Sequence, residues 1–237
     1  MSDSSHLPAV DDNHVRWSLP REHVARELGH RPLLLMLHGY GSHEMDLFGL
    51  AEFLPSEFVI ASVRGLIPAG PGFAWFPLEW DAQTNELRRD VDDVNESARV
   101  LLAWLDELDS EVGGLDRVVL LGFSQGGAMA IQLLRHAPER FDAAVVLASF
   151  ATPDSSVGAI QRDAALAEAQ LPVFWGRDPH DPVITDELIA YTRRWLPEHS
   201  DLDARLYSNV GHGISMEEVD DVRAFLVARL ADNPNNN

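Results

Sequence analysis

Ser124 stands in Gly122-Phe123-Ser124-Gln125-Gly126-Gly127, directly after the apolar run Arg117-Val118-Val119-Leu120-Leu121. A strand that ends in G-x-S-x-G and turns at once into a helix forces the serine into a tight, strained elbow. Flanking glycines suit such an elbow, because a Cβ there would collide with the neighbouring strand or with the turn itself. The elbow lifts Oγ to the carboxyl edge of a sheet, beside the positive end of a helix. That is a place for nucleophilic attack on an acyl carbonyl. G-x-S-x-G alone occurs often by chance and is then a plain glycine-rich loop; the strand before it and the helix after it supply the context the motif needs.

A serine hydroxyl is a poor nucleophile without a base in hydrogen-bond reach. In this arrangement the chain order is Ser, then Asp or Glu, then His. Of the ten histidines, His180, His199 and His212 lie well downstream. His212, in Gly211-His212-Gly213, falls just past a strand and just before the last helix, at the same sheet edge as Ser124. His199 follows Pro197-Glu198 at the opposite edge and is expected on the surface, and His180 has no strand of its own behind it. The base is therefore expected to be His212. The acid that orients the imidazole must lie in Gly176-Arg177-Asp178-Pro179-His180-Asp181-Pro182-Val183-Ile184. Asp178 and Asp181 both fit the order. Asp181 is favoured because an apolar pair follows it into the next helix, whereas Asp178 suits a turn cap.

Acyl transfer also needs donors aimed at the developing oxyanion. The backbone N–H of Gln125, the residue after the serine, is one. The second is expected from the loop His38-Gly39-Tyr40-Gly41 after an early strand, with Tyr40 as the N–H donor and His38 ordering the loop.

Alternating strand and helix patterns must position these groups. Strands are expected at Leu33–Leu37, 58–63, Val118–Phe123, 143–148, 171–175 and 204–207. Helices are expected near residues 45–54, along the stripe Leu87, Val91, Val94, Ala98, Leu101, Leu105 and Leu108, then at Gln125–His136 and 186–195. A last helix begins at Ser215, with Glu218 three residues on at capping-box spacing. Strands apolar on both faces and alternating with helices predict an α/β fold, a mostly parallel central sheet with helices on both faces. Residues 15–19 are expected to add an antiparallel edge pair. Residues 1–14 and the tail 233–237 read as flexible ends around one domain, 15–232.

Composition narrows the chemistry. The apolar share of 46% and aromatic share of 8% suit a chain of 237 residues with a real core. No cysteine is present, which removes disulfides, thiolate nucleophiles and zinc–thiolate sites. All 18 basic residues are arginine, so a P-loop lysine, a Schiff-base lysine and a Ser-Lys dyad are excluded. The net charge of −20 argues against nucleic acid and anionic membranes as partners. Without a signal peptide or a membrane-length apolar run, a cytoplasmic address is expected, with no stable membrane insertion and a monomer or homodimer.

With these residues assembled, the chain resembles the α/β-hydrolase superfamily, and within it the phospholipase/carboxylesterase family that includes acyl-protein thioesterases. The resemblance rests on Leu37-His38-Gly39-Tyr40-Gly41 with Glu44 and Asp46-Leu47, on Trp75-Phe76, on Gly122-Phe123-Ser124-Gln125-Gly126-Gly127-Ala128, on Asp181-Pro182-Val183-Ile184 and on Gly211-His212-Gly213-Ile214-Ser215. It implies a hydrolase of esters or thioesters without cofactor or metal, with Ser124, Asp181 and His212 as triad and a minimal lid. Two departures stand out. The stretch from Gly176 to Asp181 is longer than usual, and Thr185 stands where a proline commonly follows, which predicts a looser loop. Residues 65–86 are the candidate lid, with Gly70-Pro71-Gly72 as its hinge. The aromatics Phe73, Trp75, Phe76 and Trp80 there either pack onto the domain or wall an acyl pocket. The family points to Trp75 and Phe76 as substrate-binding, and Phe150 is expected to line the same cleft.

The expected activity is a serine carboxylesterase. An acyl thioesterase or lysophospholipase is the alternative within enzymes, and a binding module on a hydrolase fold the alternative outside them. The intact set Ser124, Asp181 and His212 speaks against the last.

Overall fold

Five strands at the centre of the sheet are almost wholly apolar, and both of their faces are covered. The computed structural model of the protein describes the backbone of residues 7–81 and 86–231. In chain order the elements are β1 (Val15–Trp17), α1 (Arg21–Leu28), β2 (Leu33–Leu37), a 3-10 stretch Leu47–Phe53, β3 (Val59–Val63), β4 (Ile67–Ala69), β5 (Gly72–Ala74), β6 (Glu79–Asp81) and β7 (Glu86–Arg88). They continue with α2 (Val91–Val112), β8 (Val118–Phe123), α3 (Gln125–His136), β9 (Ala143–Leu147), α4 (Ala159–Ala169), β10 (Pro172–Arg177), α5 (Asp186–His199), β11 (Asp201–Leu206) and α6 (Met216–Ala231).

Seven strands form one sheet in the order β1-β3-β2-β8-β9-β10-β11, parallel except for β1, which runs antiparallel to β3. Register sorts the side chains. Leu33, Leu35, Leu37 and Leu120 face the layer built from α2 and α3, where Leu101, Leu105, Met129 and Leu133 meet them. Leu34, Met36, Val119 and Leu121 face Val222 and Leu226 of α6 on the other side. A one-residue slip would exchange the two sets, so both layers pin the register. The carboxyl ends of β2, β8, β10 and β11 consequently deliver their loops to one rim.

Several elements differ from expectation. Residues 45–54 hold the 3-10 stretch rather than an α-helix; it is short, contains Gly49 and is followed by Pro55. The long helix begins at Val91, where Asp90 caps it by accepting the Asp92 N–H, and Leu87 belongs to β7. The short α1 buries Val24 and Leu28 alone, and α4 only Ala159 and Leu166, so neither leaves a readable stripe. The helix α5 runs on through Pro197 to His199. His199 lies half-buried at the surface of the opposite edge, its ring stacked on Trp195 at 4.0 Å.

Residues 7–14, expected to be mobile, lie against the body. Leu7 and Val10 pack on the core, and Trp104 Nε1 donates to Asp12 Oδ1 at 2.8 Å. Residues 1–6 and the tail 233–237 fall outside the described residues. Gly70-Pro71-Gly72, expected as a hinge, spans the turn of the β4–β5 hairpin. That hairpin is stitched to the loop after β2: Phe73 N–H donates to Ser42 O at 2.7 Å, and Gly41 N–H to Phe73 O at 2.8 Å. Two such bonds hold a wall in place rather than free a flap.

Candidate active site

At the end of β8 the chain turns through Ser124 at φ 52°, ψ −118°, a conformation that costs a non-glycine residue about 1–3 kcal/mol. Its surroundings hold it there. Ser124 N–H donates to Leu147 O at 2.9 Å, and its carbonyl accepts from Ser149 Oγ at 2.6 Å and from the Gly127 N–H at 3.0 Å. A Cβ on Gly126 would run into the Leu37 carbonyl, and one on Gly122 into the Gly126 carbonyl. The glycines thus let α3 start directly against β2 and β8.

His212, on the loop between β11 and α6, brings Nε2 to 3.0 Å from Ser124 Oγ. Its Nδ1 lies 2.8 Å from Asp181 Oδ2. A carboxylate can only accept, so Nδ1 carries the proton and Nε2 presents its lone pair to the serine. Asp181 Oδ1 accepts the N–H groups of Val183 and Ile184 at 2.8 and 3.2 Å, and its side chain is 2% exposed. Phe123 packs against the imidazole, ring centroids 5.0 Å apart.

Asp178 does not touch His212. Its Oδ2 accepts the N–H groups of Val210 and Gly211 at 2.7 and 2.8 Å, and its Oδ1 accepts that of His180 at 2.7 Å. The three amides, His180 first, hold this carboxyl below the usual carboxylate range and so keep it ionised. Thr185, expected to loosen the loop, instead caps α5 by accepting the Leu188 N–H.

Beside the serine runs the loop after β2. A Cβ on Gly39 would stand 3.4 Å from the Ser124 Cβ. Among the described residues neither the Tyr40 N–H nor the Gln125 N–H has a hydrogen-bond partner, which leaves both for a ligand oxygen. His38 is buried beneath this loop. Its Nε2 accepts the Gly65 N–H at 2.8 Å, so its proton sits on Nδ1, which donates to Gly39 O at 2.8 Å. Burial lowers its basicity and favours this neutral form. Glu44 and Arg64 brace the same region through a two-point ion pair at 2.6 and 2.7 Å.

A cleft of ≈ 320 Å³ contains Ser124 and His212. Phe76, Leu78, Phe150, Ile184 and Leu188 form its apolar wall. Phe76 and Phe150 therefore line it as expected, but Trp75 does not. Trp75 is fully buried and donates Nε1–H to His38 O at 2.7 Å, so it belongs to the core under the loop after β2. Trp80 has no described side chain. Sequence reasoning missed Arg89, whose guanidinium lies over the Phe150 ring at 4.6 Å. It sits between a hairpin and a helix cap, where no periodic pattern marks the inward face. Asp178, the rival acid, takes the turn-cap role that its position suggests, by accepting the His180 N–H two residues on.

Comparison with known proteins agrees with this architecture. The family model described as Phospholipase/Carboxylesterase matches residues 22–230. Acyl-protein thioesterase 1 of Kluyveromyces lactis is 24% identical over 212 residues, covering 84% of this chain and 92% of the relative. The putative hydrolase MhqD of Bacillus subtilis is 25% identical over 200 residues, covering 81% and 91%. Among solved structures, a carboxylesterase from Mesorhizobium loti superposes with a TM-score of 0.72 at 23% identity, covering 94% of this chain and 99% of that one.

Proposed function

This chain belongs to the phospholipase/carboxylesterase family, and on that premise we propose that it is a serine carboxylesterase acting through an acyl-enzyme. The observation that carries the reading is the 3.0 Å approach of His212 Nε2 to Ser124 Oγ, with Asp181 2.8 Å behind the imidazole. His212 takes the serine proton as Oγ attacks the acyl carbonyl. The N–H groups of Tyr40 and Gln125 receive the oxyanion. Collapse of the tetrahedral intermediate expels the alcohol, which takes its proton from His212. Water, deprotonated by the same imidazole, then releases the acid. Asp181 keeps the proton on Nδ1 and stabilises the imidazolium. We read residues 15–232 as one catalytic domain.

Thioester hydrolysis is the second reading, favoured by the thioesterase relatives and by an apolar cleft that suits an acyl chain. The same machinery serves both bonds. The test is a fluorophosphonate probe followed by mass spectrometry, with p-nitrophenyl esters and matched thioesters as substrates. Label on Ser124 and loss of turnover by at least ~1,000-fold in Ser124→Ala are expected. Full activity in that variant would sink the assignment.

A further inference from the structure

The cleft around Ser124 does not end at its apolar wall. A second cavity of ≈ 370 Å³ adjoins it, and Arg89, Thr185 and Leu188 line both. Arg89 is half-buried at the junction. Among the described residues it has no hydrogen bond and no ion pair; its one polar-type contact is the face of Phe150. Other arginines behave differently: Arg21, Arg64, Arg117, Arg135, Arg140, Arg162 and Arg205 each hold a carboxylate. Arg16, Arg177, Arg193, Arg194 and Arg223 also show no carboxylate partner among the described residues, but of these only Arg194 lines either cavity at this junction.

The second cavity continues the theme. Arg88 and Arg194 line it, with Glu187 as the one carboxylate among its lining residues. Thr152 also lines it; that residue is 2% exposed, and its Oγ1 has no hydrogen-bond partner. The Tyr191 hydroxyl accepts from Arg135 at 3.4 Å and has no acceptor among the described residues for its own proton. Arg89 and Arg194, with the hydroxyl-bearing Thr152 and Tyr191, thus line a space that has one carboxylate, Glu187, among its lining residues. Such a donor set matches an oxyanion with several lone pairs. Burial disfavours the charge on Arg89, and among the described residues no acidic neighbour offsets this, so an anionic ligand group would relieve it.

We propose that this second cavity is a substrate subsite for an anionic group, a carboxylate or a phosphate, carried on the ester whose acyl carbon reaches Ser124. The proposal rests on the esterase reading above and narrows it to anionic esters. The group has two possible sources: a carboxylate at the far end of the acyl chain, or a phosphate on the leaving alcohol. On a molecule of net charge −20 a local cluster of this kind selects by contact rather than by long-range attraction.

Two matched pairs of esters test it. One is the mono-p-nitrophenyl ester of adipic acid against p-nitrophenyl hexanoate; the other is a 1-acylglycerol 3-phosphate against the monoacylglycerol with the same acyl chain. In at least one pair the protein should favour the anionic member by 10-fold or more in kcat/KM. Arg89→Gln should reduce that preference by 10-fold or more, and Arg194→Gln by a smaller factor. The favoured pair identifies the source. Calorimetry on Ser124→Ala with the same four esters reads binding without turnover and should show the same preference, lost in Ser124→Ala/Arg89→Gln. Preference below 2-fold in both pairs, or a preference untouched by Arg89→Gln, overturns the subsite. Anion-selective binding without any Ser124-dependent turnover would instead overturn the esterase reading and leave the subsite standing.

Discussion

Asp178 Oδ2 accepts the backbone N–H of Gly211 at 2.8 Å, and the next residue is His212. The loop that carries the imidazole is thereby tied to the end of β10, while Asp181, three residues on, holds the imidazole itself. One carboxylate sets where the loop sits and the other sets which nitrogen carries the proton. Their substitutions should separate accordingly. Asp181→Asn should lower kcat by ~10,000-fold through the wrong tautomer. Asp178→Ala should cost about 10- to 100-fold through displacement of His212, with part of it restored in Asp178→Asn, which keeps one acceptor oxygen. Steady-state kinetics and the rate of fluorophosphonate labelling measure both. Equal losses in Asp181→Asn and Asp178→Ala would contradict this division of labour.

Gln125 contributes more than its amide. Its Oε1 accepts the Trp75 N–H at 2.9 Å and its Nε2 donates to Phe76 O at 2.7 Å, both buried. The residue after Ser124 thus clamps the strand end that forms the cleft wall. Gln125→Ala would leave a buried N–H and a buried carbonyl without partners, at a cost of roughly 2–4 kcal/mol. Urea unfolding should show that loss, and KM should rise as Phe76 loosens. An unchanged unfolding midpoint would mean that water replaces both bonds.

The sheet and the three long-range partners of the site were legible because strong local rules fixed them. Val118–Phe123 is an unbroken apolar run and Gly122-x-Ser124-x-Gly126 admits few backbone paths. His212 could be found because chain order and a strand–loop–helix position left few rivals. What escaped depends on distant parts of the chain. Trp75 was expected in the cleft, since an aromatic beside Phe76 looks the same whether it faces inward or outward. Its place under His38 is set by a hydrogen bond between residues 37 positions apart. Arg89 was invisible for the same reason: an arginine next to an arginine and an N-cap aspartate reads as solvated surface. The helix α4 left too small an apolar stripe, Ala159 and Leu166, to be seen at all.

Arg135 offers a test of buried charge away from the site. Its side chain is fully shielded, it meets Asp163 at 2.8 and 3.2 Å, donates to Thr152 O at 2.6 Å and stacks on Trp195 at 4.1 Å. Removing the partner carboxylate strands the cation, so Asp163→Ala should lower stability by about 3–5 kcal/mol. The double variant Arg135→Met/Asp163→Leu, with no charge left to bury, should recover part of that. Chemical denaturation of the three proteins measures the difference. A double variant weaker than Asp163→Ala would show that the Thr152 and Trp195 contacts outweigh the ion pair.

Glu218 gives the molecule a pH dependence of defined sign. Ser215 Oγ caps α6 by accepting the Glu218 N–H at 3.1 Å, but the reciprocal half of the expected capping box is missing. The carboxyl is buried against Gly176 instead, and neither oxygen has a hydrogen-bond partner among the described residues. Burial pushes its pKa up to about 7 from an ordinary value of 4.5. Below that ordinary value both folded and unfolded chains hold the proton. Between there and about 7 only the folded chain does, so its stability falls as pH rises and levels off above 7. His136 runs the other way: burial lowers it to about 4, so its contribution is present above its ordinary value of 6.5 and is lost as pH falls through 4. Comparing the protein with Glu218→Gln cancels the histidine and isolates the carboxyl. The variant should match the parent near pH 4.5 and be more stable at pH 8, by at most about 3 kcal/mol. Thermal melts at both pH values read this directly. A stability difference of the same size at pH 4.5 and pH 8 would mean that Glu218 keeps an ordinary pKa in the folded protein.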